Sequence, residues 1–151
     1  MSIAQRSNAD AEAVRRLRSR QVVSRVSYLR ELRRVAQDTT QRQLARVIGI
    51  SQPSVSSALK SAASVLDVRP GFSGATPYEI AQRFDAGELT REQTIDELGR
   101  WSYRPGLPSD GYDWSTADAG EFEDVERAHT DHLIDGAMYE EILIRHSEQG
   151  R

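Results

Sequence analysis

The chain has 151 residues, 38% hydrophobic and 28% charged, with a formal net charge of -3 and no cysteine. That length suits one ordinary domain or two small ones, and the lack of thiols excludes a disulfide framework or a thiolate metal site. No apolar run approaches a membrane span and no signal-like block follows Met1, so a cytoplasmic protein without membrane association is expected.

The net charge conceals an asymmetry. Residues 1–69 hold 13 basic and 5 acidic side chains, a net of +8; residues 70–151 hold 7 and 18, a net of −11. A basic half suits a polyanion, which the acidic half would repel. The two halves are therefore expected to serve different partners.

In chain order, residues 8–37 have a helical pattern. Val14, Leu17, Val22, Val26, Leu29, Leu32 and Val35 recur mostly at three- and four-residue steps, with Asn8 or Asp10 as the expected cap. Next comes TQRQLARVIGISQPSVSSALK, residues 40–60. Thr40 with Gln43 forms a capping box, and Leu44, Val47 and Ile48 offer an apolar face. Gly49 permits a sharp turn, and Ile50 is expected to plug the space between two helices. Ser51 caps a second helix with Pro53 in its first turn, and Val55, Ala58 and Leu59 form its buried side.

Residues 68–77 carry two prolines and two glycines, a linker signature. A helix capped by Thr76 and another capped by Thr90 with Gln93 follow. Residues 102–117 are rich in Pro, Gly and Asp and read as a loop, followed by helical segments at 118–129 and 135–146. Residues 87–99 align weakly with 131–143 at an offset of 44, which suggests two similar helical hairpins. The expected fold is all-α. A basic helical domain, residues 1–67, contains the helix pair at 40–60; a linker at 68–77 leads to a small acidic domain of two helical hairpins, residues 78–151.

Ala45, Gly49, Ile50 and Val55 stand at the spacing of a DNA-reading helix pair, and residues 29–59 resemble the first three helices of lambda-repressor-like helix-turn-helix domains. The resemblance implies double-stranded DNA as partner, read in the major groove, with a homodimer on the duplex. DNA contacts would come from Thr40, Gln41 and Arg42 at the start of one helix. Ser51, Gln52, Pro53, Ser54, Ser56, Ser57 and Lys60 would supply them from the other. Arg33, Arg34 and Arg46 are candidate phosphate clamps.

The acidic half holds no phosphate loop and no nucleophile–base spacing, so neither catalysis nor a cofactor is expected. His129 and His132 are three residues apart, but lone surface histidines are common and no metal is expected. Trp101, Tyr103, Tyr112 and Trp114 have two readings, a small core that pins the loop or anchors for a protein partner. Glu121, Glu123 and Asp124 would add acidic contacts to the second. A helix-turn-helix followed by an acidic helical half is similar to the antitoxins of type II toxin–antitoxin modules. That similarity implies autorepression of an operon and a protein toxin partner. The alternatives are a regulator whose second half mediates oligomerisation, with no toxin, and an adaptor that keeps the helix pair only as a fold.

Overall fold

The computed structural model describes residues 2–103 and 122–149. Among the described residues seven α-helices run in the order α1 (Ile3–Val35), α2 (Gln41–Ile48), α3 (Gln52–Ala62), α4 (Pro77–Asp85), α5 (Arg91–Arg100), α6 (Glu123–Thr130) and α7 (Gly136–Gln149). No strand occurs among the described residues, so the protein is all-α as expected. The chain forms two compact units: one is Gln21–Asp67, and the other combines Met1–Arg20 with Val68–Arg151. The boundary falls inside the 33-residue α1. The first domain read from the sequence ran unbroken from 1 to 67, whereas the contacts group the first 20 residues with the acidic chain.

α1 begins earlier than its apolar pattern. Its cap is Ser2, whose hydroxyl accepts from the Gln5 N–H at 3.2 Å while the Gln5 side chain accepts from the Ser2 N–H at 2.9 Å. Neither Asn8 nor Asp10 is the cap, because both lie inside the helix. Without an internal Pro or Gly, nothing stops the helix before Val35.

The Gln21–Asp67 unit closes around Leu32, Leu44, Ala45 and Val55, with Val35, Ala36, Ala58 and Leu59 packed against them. The other unit buries Ile80, Leu98, Val125, Met138 and Ile142 completely. Its helices form two hairpins, α4–α5 and α6–α7, which pack α5 on α7 and α4 on α6. The sequence echo has a structural counterpart with a shifted register. After α4 the N–H groups of Ala86, Gly87 and Glu88 donate to Gln82, Phe84 and Arg83; after α6 those of Asp131, His132 and Leu133 donate to Arg127, His129 and Ala128. Every pair is offset by 45, not 44. Thr90 caps α5, and the Asp135 side chain accepts from the Met138 N–H at 2.8 Å at the same offset.

The stretch 68–77 is also packed. Phe72 meets Trp101 edge-on at 4.7 Å. The Arg69 guanidinium lies 4.4 Å from the Trp101 ring centre and that of Arg100 lies 4.2 Å from Phe72. The Ser73 N–H donates to the buried Glu97 carboxylate. A stretch rich in turn residues is thus held by aromatic and charged contacts that its local composition does not announce.

Candidate nucleic-acid interface

The two helices of the expected DNA-reading pair are set by their caps. The Thr40 hydroxyl accepts from the Gln43 N–H at 3.2 Å, and the Gln43 side chain returns a bond to the Thr40 N–H at 3.2 Å. Gly49 has φ 81 and ψ 31, and its N–H and that of Ile50 both donate to the Ala45 carbonyl, at 2.9 and 3.1 Å. Only a residue without Cβ takes that left-handed turn cheaply. Ser51 then caps α3 by accepting from the Ser54 N–H at 3.2 Å, with Pro53 in the first turn, where no intrahelical donor is needed.

Ala45 and Val55 are buried where the helices cross, and Ala62 closes the far end. Three of the expected apolar contacts are less enclosed. Val47 is 85% exposed because the apolar side of α2 runs through Leu44 and Ala45, and Val47 faces away from it. Ile48 and Ile50 are only partly covered.

Val55, Ala58 and Leu59 hold α3 from behind, and the surface beside and opposite them is largely polar. Gln52, Ser56 and Lys60 follow at i, i+4 and i+8, flanked by Pro53 and Ser57. Gln52, Pro53, Ser57 and Lys60 are exposed and Ser56 is half-buried. Ser51 and Ser54 are tied to each other, with hydroxyl oxygens 2.8 Å apart, so they shape the helix start before they contact anything else. At the start of α2, Arg42 is exposed and Gln41 half-buried, while the Thr40 hydroxyl is held in its capping box.

The arginines divide by role. Residues 21–67 carry seven basic and three acidic side chains, a net of +4. Arg33 is not free for phosphate: its guanidinium bridges the Ala62 and Val65 carbonyls at the end of α3 and pairs with Asp67. Arg30 donates to the Leu66 carbonyl at 2.9 Å. Together they hold the chain leaving α3 against α1. Arg34 pairs with Glu31 at 2.6 Å; that hydrogen bond lowers the Glu31 pKa and raises that of Arg34. Arg42, Arg46 and Lys60 are exposed and make no ion pair among the described residues. With the exposed Arg25 they are the cations of this unit available to a polyanion; the role of Arg33 was hidden from sequence because its partners lie 29 to 34 positions on, whereas Arg34 has its carboxylate three positions away.

The expected acidic-half contacts fare differently. Trp101 is buried in the core beside Phe72. Tyr103 donates to the Leu98 carbonyl at 2.5 Å and packs edge-on against Phe122 and His146, and burial pushes its hydroxyl pKa up. Trp101 thus belongs to the core and Tyr103 packs against it. Glu123 is exposed, and Asp124 is half-buried with Arg127 at 3.8 Å. Tyr112, Trp114 and Glu121 lie outside the described residues. His129 stacks on Tyr139 with ring centres 4.9 Å apart, and His132 takes part in the turn before α7. No helix among the described residues is long and apolar enough to cross a membrane.

A glycine-turned helix pair with a small polar outer face, and with exposed cations that make no ion pair among the described residues, has the form of a DNA-reading module. Residues 29–70 match the helix-turn-helix family, of the lambda-repressor-like kind. The match supports a DNA-binding regulator. No curated protein and no solved structure matches the chain.

Proposed function

We propose that the protein is a sequence-specific, cytoplasmic transcriptional repressor that lays α3 in the major groove and binds as a homodimer. One observation carries this reading: Gln52, Ser57 and Lys60 are exposed and Ser56 half-buried on a helix anchored by Val55, and Lys60 makes no ion pair among the described residues. The Gln52 amide has the donor and acceptor needed for an adenine edge, and short serines let the helix approach closely. Arg42 and Arg46 supply phosphate contacts that add affinity without sequence information. A single module of this size rarely separates its site from bulk DNA, which is why two copies are invoked.

Within this class, the leading form is an antitoxin that represses its own operon and covers a basic toxin with its acidic half. The net −11 of residues 70–151 supports it, as do the exposed carboxylates Glu123, Glu126, Glu140 and Glu141. The rival form is a regulator without a toxin, and the exposed apolar residues of α1 favour it.

Binding of the full chain to its own promoter and to a scrambled duplex, across a salt series, tests the class. Gln52→Ala with Ser56→Ala is expected to narrow the difference between the two duplexes by about 1–3 kcal/mol per lost base contact. Equal binding of both duplexes by the unaltered protein would refute sequence-specific repression. Co-purification of the neighbouring gene's product separates the antitoxin from the toxin-free regulator.

A further inference from the structure

α1 carries an exposed seam with an unusual symmetry. Its large exposed apolar residues are Ile3, Val14, Leu17 and Tyr28, at 87, 66, 61 and 38% exposure. Their spacings are eleven, three and eleven, which reads the same in both directions. The positions between them on the same heptad stripe, Ser7, Asp10, Gln21 and Ser24, are polar and also exposed. We propose that this seam is the interface between two copies of the chain, with the two α1 helices packed antiparallel about a two-fold axis midway between Val14 and Leu17.

The self-complementarity supplies the argument. A two-fold interface requires that if one residue meets another, the second meets the first in return. With the axis at that point, Val14 meets Leu17 and Ile3 meets Tyr28 of the second copy, so all four apolar side chains find apolar partners. Asp10 meets Gln21, a pair that can hydrogen bond, and Ser7 meets Ser24.

The charges beside the seam choose the direction. Antiparallel packing sets Arg18 opposite Ala11, Arg25 opposite Ala4, and Arg20 opposite Ala13 of the second copy. Parallel, in-register packing would instead place Asp10 against Asp10 and Arg20 against Arg25, both repulsive. The antiparallel arrangement avoids both like-charge pairs.

This inference rests on the two-copy reading of DNA binding for its purpose, but pairing is measured without DNA. Sedimentation of the full chain over a wide concentration range is expected to show a monomer–dimer equilibrium. Val14→Glu with Leu17→Glu should weaken it at least tenfold, with helicity by circular dichroism unchanged because both side chains are exposed.

The direction is read by crosslinking, since the chain has no native cysteine. Ser7→Cys and Ser24→Cys chains, mixed under oxidising conditions, should form a disulfide between the two variants. Each variant alone should form none, because its own thiols lie about 26 Å apart along the axis, seventeen residues at 1.5 Å each. A chain that stays monomeric, a dimer indifferent to the double glutamate variant, or self-crosslinking of each variant alone would each overturn the proposal. A monomer that still prefers its own promoter would overturn the seam and leave sequence-specific DNA binding standing.

Discussion

Both units fasten themselves with arginine, as Arg33 and Arg34 do in residues 21–67, but the two differ in the cations they leave outward. In residues 21–67, Arg42, Arg46 and Lys60 are exposed and have no carboxylate partner among the described residues. In the acidic unit four arginines are engaged internally. Arg83 is held by Glu79 at 2.9 Å and Glu88 at 2.6 Å, Arg15 by Asp85 at 2.9 Å, Arg91 by Asp135 at 2.7 Å and Arg100 by Asp96 at 2.9 Å. The same residue type is a fastener in both units and stands outward at Arg42 and Arg46. Net charge alone does not distinguish these uses; the presence of a nearby carboxylate does.

The largest expected effect breaks the fastening side. The Arg83 and Glu79 side chains are both nearly buried. Arg83→Met leaves Glu79 a buried carboxylate without its cation, and that should cost about 3–5 kcal/mol of stability. Denaturant unfolding of the full chain measures it. A loss below about 1 kcal/mol would mean that the pair is an ornament of the surface.

Next in size is Gly49→Val. A β-branched residue at φ 81 is strained even though open space surrounds the added Cβ. We expect a loss of about 1–2 kcal/mol, by the cost of the left-handed conformation. Gly49→Asn should recover much of it, because Asn tolerates that region. Equal destabilisation by Val and Asn would show that contact, not backbone conformation, sets the requirement.

A smaller effect sharpens the contrast directly. Arg42→Ala should weaken DNA binding and reduce the slope of log affinity against log salt by about 1, the signature of one lost phosphate contact. Arg100→Ala should leave that slope unchanged, since Arg100 is occupied by Asp96 and the Gly71 carbonyl. Equal slopes for the two variants would erase the distinction drawn between free and engaged arginines.

What could be read from the sequence follows the range of the interaction. The Thr40–Gln43 and Thr90–Gln93 boxes, the Ser51 cap and the turn at Gly49 all join residues within five positions, so their pattern is visible in a string. The helix pair and its polar face followed from them. The clamp of Arg33 on Ala62 and Val65, the hold of Arg15 and Ser19 on Asp85, and the edge-on contact of Phe72 with Trp101 join residues 29 to 70 positions apart. No periodicity encodes such pairs. Arg33 therefore read as a phosphate clamp and 68–77 as a linker. Val47 was misplaced for a different reason: in an eight-residue helix two turns do not fix which apolar residues share a face.

The smallest effect tests the repeat itself. Gly87 at φ 85 and His132 at φ 61 occupy the same step of two turns with the same three backbone bonds. One hairpin has the residue that conformation favours, and the other has a side chain that pays for it. If the turns are equivalent, His132→Gly should stabilise the protein by roughly 0.5–1 kcal/mol, the relief of left-handed strain less the entropy glycine gains on unfolding. Gly87→His should destabilise it by a comparable amount. Thermal unfolding of both variants measures the pair. The signs must be opposite, because each exchange makes one turn resemble the other; like signs would mean that His132 is fixed by its neighbours and that the resemblance ends at the backbone.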